Sequence, residues 1–167
     1  MIPKQPPRCV LVVDSVNAGH VIARWNPLLI AVFTRAPRPV EIDLISRLVN
    51  EAVDEGIKGG LLYVVARKDL KGGVDPRLRT MFEDMIRRNQ DRAGASALVI
   101  LTGGFTAAIV RAAAAGMLTI MQQRKSVRVF DDLEAGCAWL ASEHNLEKTA
   151  LLHAYGRATL DLADLPR

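Results

Sequence analysis

The chain has 167 residues, half of them hydrophobic and 24% charged, which fits one globular domain and excludes a disordered or collagen-like chain. Twenty-two Lys and Arg against eighteen Asp and Glu leave a net charge of +4. That excess is too mild for a dedicated nucleic-acid binder, which gathers its charge on one face.

Met1 to Arg8 carries three prolines and no apolar stretch, so residues 1–8 read as a flexible arm and not as a secretory signal. The apolar run Leu28 to Phe33 is six residues long, against the ~20 that a membrane span needs. No transmembrane segment and a cytoplasmic location are expected. Cys9 and Cys137 stand among apolar neighbours and read as buried free thiols, a disulfide being the alternative.

Cys9 to Val13, His20 to Trp25 and Leu28 to Phe33 read as three strands of an antiparallel meander. Asp14 to Gly19 is the first turn and Asn26-Pro27 the second. The period then changes. Ile42, Ile45, Leu48, Val49, Ala52 and Val53 recur at three and four, the mark of a helix, with Pro37 and Pro39 before it and Gly56 to cap it. Leu61 to Val65 is a buried strand. A second helix from about Pro76 turns Leu78, Phe82, Met85 and Ile86 inward and pairs Glu83 with Arg87 and Asp84 with Arg88. Ala97 to Leu101 is a strand, Ala107 to Ala115 a helix, Val127 to Phe130 a strand and Leu133 to Glu143 a helix. Strands separated by helices pair in parallel. The expectation is α/β: a single-domain mixed sheet with an antiparallel opening and a parallel remainder, βββαβαβαβα over residues 9–143. Residues 144–167 form a C-terminal extension: a short helix capped by Asn145 and stopped by Gly156, then a tail that packs on its own domain or on another chain.

Chemistry is sparse along the chain. The three histidines, His20, His144 and His153, have no partner at a recognisable spacing, and no metal pattern, nucleophile elbow or P-loop occurs. Asp14, Ser15 and His20 share one hairpin, but Asp and Ser are also residues that turns favour, so they read as a turn. No catalytic residue, metal or cofactor is expected. Thr102-Gly103-Gly104-Phe105-Thr106 lies between a strand and a helix, where backbone N–H groups favour an anion. Arg67, Lys68 and Lys71 follow the neighbouring strand and can add positive charge at the carboxyl edge of the sheet, where ligands of open α/β sheets bind. These seven residues, Arg67, Lys68, Lys71, Gly103, Gly104, Phe105 and Thr106, are the candidate ligand site.

Over about residues 9 to 142, the element order and three phrases resemble the STAS superfamily, in its SpoIIAA-like, SEC14-adjacent branch. The phrases are the opening hairpins through Trp25-Asn26-Pro27, the Gly-Gly-Phe105 turn with Arg111 in its helix, and the run from Val129 to Leu140. The resemblance implies a sheet with helices mainly on one face and a regulatory, signalling or scaffolding role exercised by docking. It also implies a phosphorylatable hydroxyl at the start of the second helix. Here none occurs from Ala66 to Arg79, and Thr80 lies inside that helix, so no phospho-switch is expected. The resulting expectation is a non-enzymatic domain that docks a protein partner through an uncovered sheet face and residues 67–79, as a homodimer or larger assembly. The alternative is a module that binds an anionic lipid or nucleotide at the Gly-Gly turn.

Overall fold

The computed structural model describes residues 10–67, 75–89, 91–101 and 126–162, together with positions 108, 111, 112, 114 and 116. Strands β1 (Leu11–Asn17), β2 (His20–Trp25) and β3 (Leu28–Phe33) form the antiparallel meander. Helix α1 (Pro39–Asp54) leads to β4 (Gly60–Val65), and α2 (Pro76–Asn89) leads to β5 (Ser96–Ile100). Strand β6 (Val127–Phe130) follows, then α3 (Leu133–Glu143) and α4 (Lys148–Ala158). The six strands lie in chain order, with β3, β4, β5 and β6 parallel. The α/β class and the mixed sheet are therefore as expected.

Local chemistry accounts for the element ends. Pro39 opens α1 where its missing N–H costs nothing, and Glu41 reaches back to accept the Arg38 N–H at 2.8 Å. At the other end Gly56 takes φ +77°, its N–H bonds Val53 O, and the Ile57 N–H bonds Ala52 O. This left-handed ending is open to glycine at no steric cost.

The first turn is shorter than expected. Strand β1 runs on to Asn17, with a bulge between Val13 and Ser15. Asp14 and Ser15 are thus strand residues, held by cross-strand partners on β2, and the turn is left to Ala18 and Gly19. Asn17 Oδ1 closes it by accepting the Gly19 and His20 N–H groups at 2.8 and 3.1 Å. On α2, Glu83 pairs with Arg79 and Asp84 with Arg87, in place of the expected partners.

The placement of helices differs from the expectation of one covered face. Ile22, Leu29, Ala31, Phe33, Leu61 and Tyr63 pack beneath α1 and α2. On the opposite face, Val21, Ile30, Val32, Val64 and Val99 pack against Cys137 and Leu140 of α3 and Leu151 and Tyr155 of α4. The physical reason lies in β3 and β4, which are apolar on both sides, as parallel strands buried between two layers must be. Each parallel step moves one strand in the same direction, and right-handed crossovers keep α1 and α2 on one face. The C-terminal pair fills the other.

Residues 144–162 are part of this core and not an appendage. Asn145 stands at φ +53°, Glu147 is the N-cap of α4, and the helix passes through Gly156 to end at Thr159. Leu162 beyond it is still buried in the same layer. The described C-terminal segment packs on its own sheet. No helix among the described residues is long and apolar enough to cross a membrane.

Candidate functional site

Of the seven residues singled out for a ligand, Lys68, Lys71, Gly103, Gly104, Phe105 and Thr106 lie outside the described residues. Arg67 is described, and it lines a cavity of about 750 Å³ between the sheet and the α1–α2 layer. Small-molecule sites occupy roughly 300–1,000 Å³. The uncovered sheet face expected as a docking surface is absent, because both faces carry helices.

Among the described residues, α2 packs mainly on α1 and only sparsely on the strands. Phe82 meets Tyr63 at 5.0 Å between ring centroids with the planes almost perpendicular, and Phe33 stacks on the other side of Tyr63 at 5.3 Å. Beyond that aromatic prop, Leu98 of β5 is only half buried and faces the hollow. Leu61 and Leu98 form its floor, with Leu48 and Val53 of α1 and Leu78 and Ile86 of α2 as walls. The lining is mostly apolar. Of its charged members, Arg35, Arg67, Asp75 and Arg79 stand at the carboxyl edge of β3 and β4 and the start of α2, and Arg24, bonded to Asp14, stands at the opposite edge beside the start of β3. Arg111 approaches the same edge, donating to Ile100 O at the end of β5 at 3.4 Å.

A buried ionic cluster stands beside this rim. Glu41, in the first turn of α1, is 3% exposed and accepts from the guanidinium groups of both Arg35 and Arg38. Burial pushes the Glu41 carboxyl up, but the bonds from Arg35 and Arg38, aided by His20, outweigh it and hold it at about 2. His20, 2% exposed, lies 3.4 Å from Glu41 Oε1 through Nδ1 and 2.8 Å from Ser15 Oγ through Nε2. Desolvation lowers its pKa below the ordinary 6.5 against the pull of Glu41, with Arg35 and Arg38 lowering it further. Neutral His20 leaves two guanidiniums on one carboxylate, so this corner holds one positive charge in excess.

The order Ser15, His20, Glu41 has the outline of a nucleophile, base and orienting acid. Its hydrogen bonds run the wrong way. Arg35 Nη2 is 3.1 Å from His20 Nδ1, and a guanidinium can only donate. Nδ1 is then the acceptor, the ring proton sits on Nε2, and it is donated to Ser15 Oγ. Such an imidazole takes no proton from the serine. Asp14 is not part of the chain, being paired with Arg24 by two bonds of 2.8 and 3.0 Å. The cluster pins the first hairpin to the start of α1.

Sequence reading missed Glu41, Arg35 and Asn89. Glu41 carried a readable sign, an acid three residues into a helix behind Pro39. Asn89 interrupts the apolar stripe of Leu78, Phe82 and Met85 at the next inward position. It is 4% exposed, lines the cavity, and donates through Nδ2 to Asn50 Oδ1 at 3.1 Å and Met85 O at 3.0 Å. Its Oδ1 receives no hydrogen bond.

Cys137 is a fully buried free thiol, pushed up to about 12 chiefly by burial; Cys9 lies outside the described residues. Among the described residues, no group of three His, Cys, Asp or Glu side chains is placed to hold a metal. No family model, curated protein or solved structure matches the chain.

Proposed function

We propose that this chain is a non-enzymatic binding module whose cavity takes an anionic amphiphile. The apolar body lies over β4 and β5, and the anionic group sits at the carboxyl edge beside Arg35 and Arg67. The observation that carries the reading is the mostly apolar cavity of about 750 Å³ with Arg35, Arg67 and Arg79 at one edge. A nucleotide suits it less well. Its base would need a free aromatic face or several polar partners, whereas Phe33, Tyr63 and Phe82 already pack on one another.

The test starts with native mass spectrometry of purified protein before and after denaturation, to detect a retained ligand. Titration with a fatty acid and the matching fatty alcohol follows. The acid should bind more tightly than the alcohol, and Arg67→Glu should weaken the acid by roughly tenfold while leaving the alcohol unchanged. Absence of binding by both, with no retained ligand, removes the reading.

Docking of a second copy is a second reading, in keeping with a STAS-like regulatory domain. It is favoured by β1, an edge strand that among the described residues pairs only with β2. Val12, Val13 and Val16 on it are each close to half exposed. A free edge with apolar side chains is a template for strand pairing. Two copies of β1 set antiparallel satisfy each other's backbone groups about a two-fold axis.

A further inference from the structure

Tyr63 is the fourth residue of β4, opposite Ala31 of β3 and Leu98 of β5. Its side chain turns into the α1–α2 layer, is 6% exposed and lines the cavity. Phe33 and Phe82 satisfy the ring but not the hydroxyl. Among the described residues no hydrogen bond reaches that oxygen, and it is not one of the unpartnered polar atoms sealed off from solvent, as Asn89 Oδ1 is. Its accessible surface therefore opens into the hollow of the layer it faces.

A buried hydroxyl without a partner is costly, and phenylalanine would make the same ring contacts without that cost. The two charges that act on the hydroxyl are Glu41, in the first turn of α1, and Arg67, just beyond β4. Both stand at the carboxyl edge, where the amphiphile reading places the anionic group. Burial above all, with the Glu41 charge, pushes the Tyr63 hydroxyl above its ordinary 10.0, and Arg67 pulls the other way. The phenol keeps its proton and is able to donate it. An ionised carboxylate only accepts, and a bond to it is stronger than one between neutral groups. Glu41 does not repel such a head, because it already carries two guanidiniums.

We propose that the Tyr63 hydroxyl donates a hydrogen bond to the anionic head of the ligand, so that the head is held inside the α1–α2 cavity and not in water at its mouth. This rests on the amphiphile reading above and names the residue that binds the head.

The experiment titrates dodecanoic acid and dodecanol into wild-type protein and into Tyr63→Phe, which keeps the ring and its contacts. The variant should bind the acid about tenfold more weakly and the alcohol within about threefold of wild type, since a bond to a charged group is worth roughly twice a neutral one. Its melting temperature without ligand should be equal or higher, an orphan hydroxyl having been removed. A folded variant that binds the acid as tightly as wild type overturns the inference and leaves the amphiphile reading standing, with water as the partner of the hydroxyl. Equal losses for acid and alcohol overturn it as well. A second measurement does not need the variant to fold. The chain has two tyrosines, and the other, Tyr155, packs in the α3–α4 layer. In protein labelled with 3-fluorotyrosine, the fluorine resonance that survives in Tyr155→Phe belongs to Tyr63. Saturating acid should shift it further than saturating alcohol does, and equal shifts overturn the inference. Failure of acid and alcohol alike to bind wild-type protein removes the amphiphile reading and the inference with it.

Discussion

Glu41 concentrates more of the molecule's electrostatics than any other described side chain, and its titration yields a signed prediction. Its carboxyl titrates at about 2 when folded against 4.5 when unfolded. A depressed carboxylate contributes stability above its unfolded pKa and loses it as the pH falls towards the folded value. This contribution is therefore intact above about pH 4.5 and drains away between there and about pH 2. His20 has the same sign in a higher window. Its folded pKa lies below 6.5, so its share is intact above pH 6.5 and declines as the pH drops. Urea midpoints measured across pH should fall in two stages. Glu41→Gln should flatten the lower stage and cost about 1–3 kcal/mol at neutral pH, the range for breaking a buried, hydrogen-bonded charged group. The larger penalties seen for fully buried pairs do not apply, because the side chains of Arg35 and Arg38 are 34% and 61% exposed and can turn to water. An unchanged acid limb in the variant would show that Glu41 is not its source.

Among the elements, β1 and α2 depart most from ordinary sheet and helix behaviour, each for a reason that chain-local patterns carry only in part. The bounds of β2, β3 and β6 and both ends of α1 were readable from the apolar pattern, Pro39 and Gly56. The extension of β1 was not, because Asp14 and Ser15 favour turns when alone and become strand residues only when Arg24 and His20, set diagonally on β2, bond their side chains. The covering of both faces was legible in principle, in the uninterrupted burial of Leu28 to Phe33. A helix's own apolar stripe does not say which side of a sheet it will lie on. The cavity was not legible, since it depends on how far α2 stands from β5. The exposed valines of β1 lead to a test of assembly. If β1 pairs with its copy, the protein should be a dimer by light scattering, and Val13→Lys with Val16→Lys should make it monomeric. These half-exposed positions should cost only about 0.5 kcal/mol each in folding stability. A wild-type monomer at high concentration would end the edge-pairing reading.

Among the described residues, the two faces of the one sheet are covered differently. On the α3–α4 face, a Cβ placed on Gly136 would come within 2.7 Å of Val99 Cγ2, so only glycine lets α3 lie this close to β5. Cys137, Leu140 and Leu151 are wholly buried there. On the α1–α2 face, the Phe33–Tyr63–Phe82 prop holds α2 up and leaves the hollow over β5. The close-packed face can carry the stability that the hollow one forgoes, which is the arrangement a binding module needs. If so, filling the hollow should stabilise the fold and remove the function together. Leu98→Trp adds bulk at a half-buried floor position and should raise the melting temperature of the ligand-free protein, in line with the ~0.5–2 kcal/mol of typical cavity-filling changes. Saturating fatty acid should raise the melting temperature of the wild type, by about 2.7 kcal/mol of stability at one hundred times Kd, and leave the variant unmoved. A variant that melts several degrees lower in the absence of ligand would mean that the space over β5 cannot accept an indole, and that α2 is not held off the sheet by the aromatic prop.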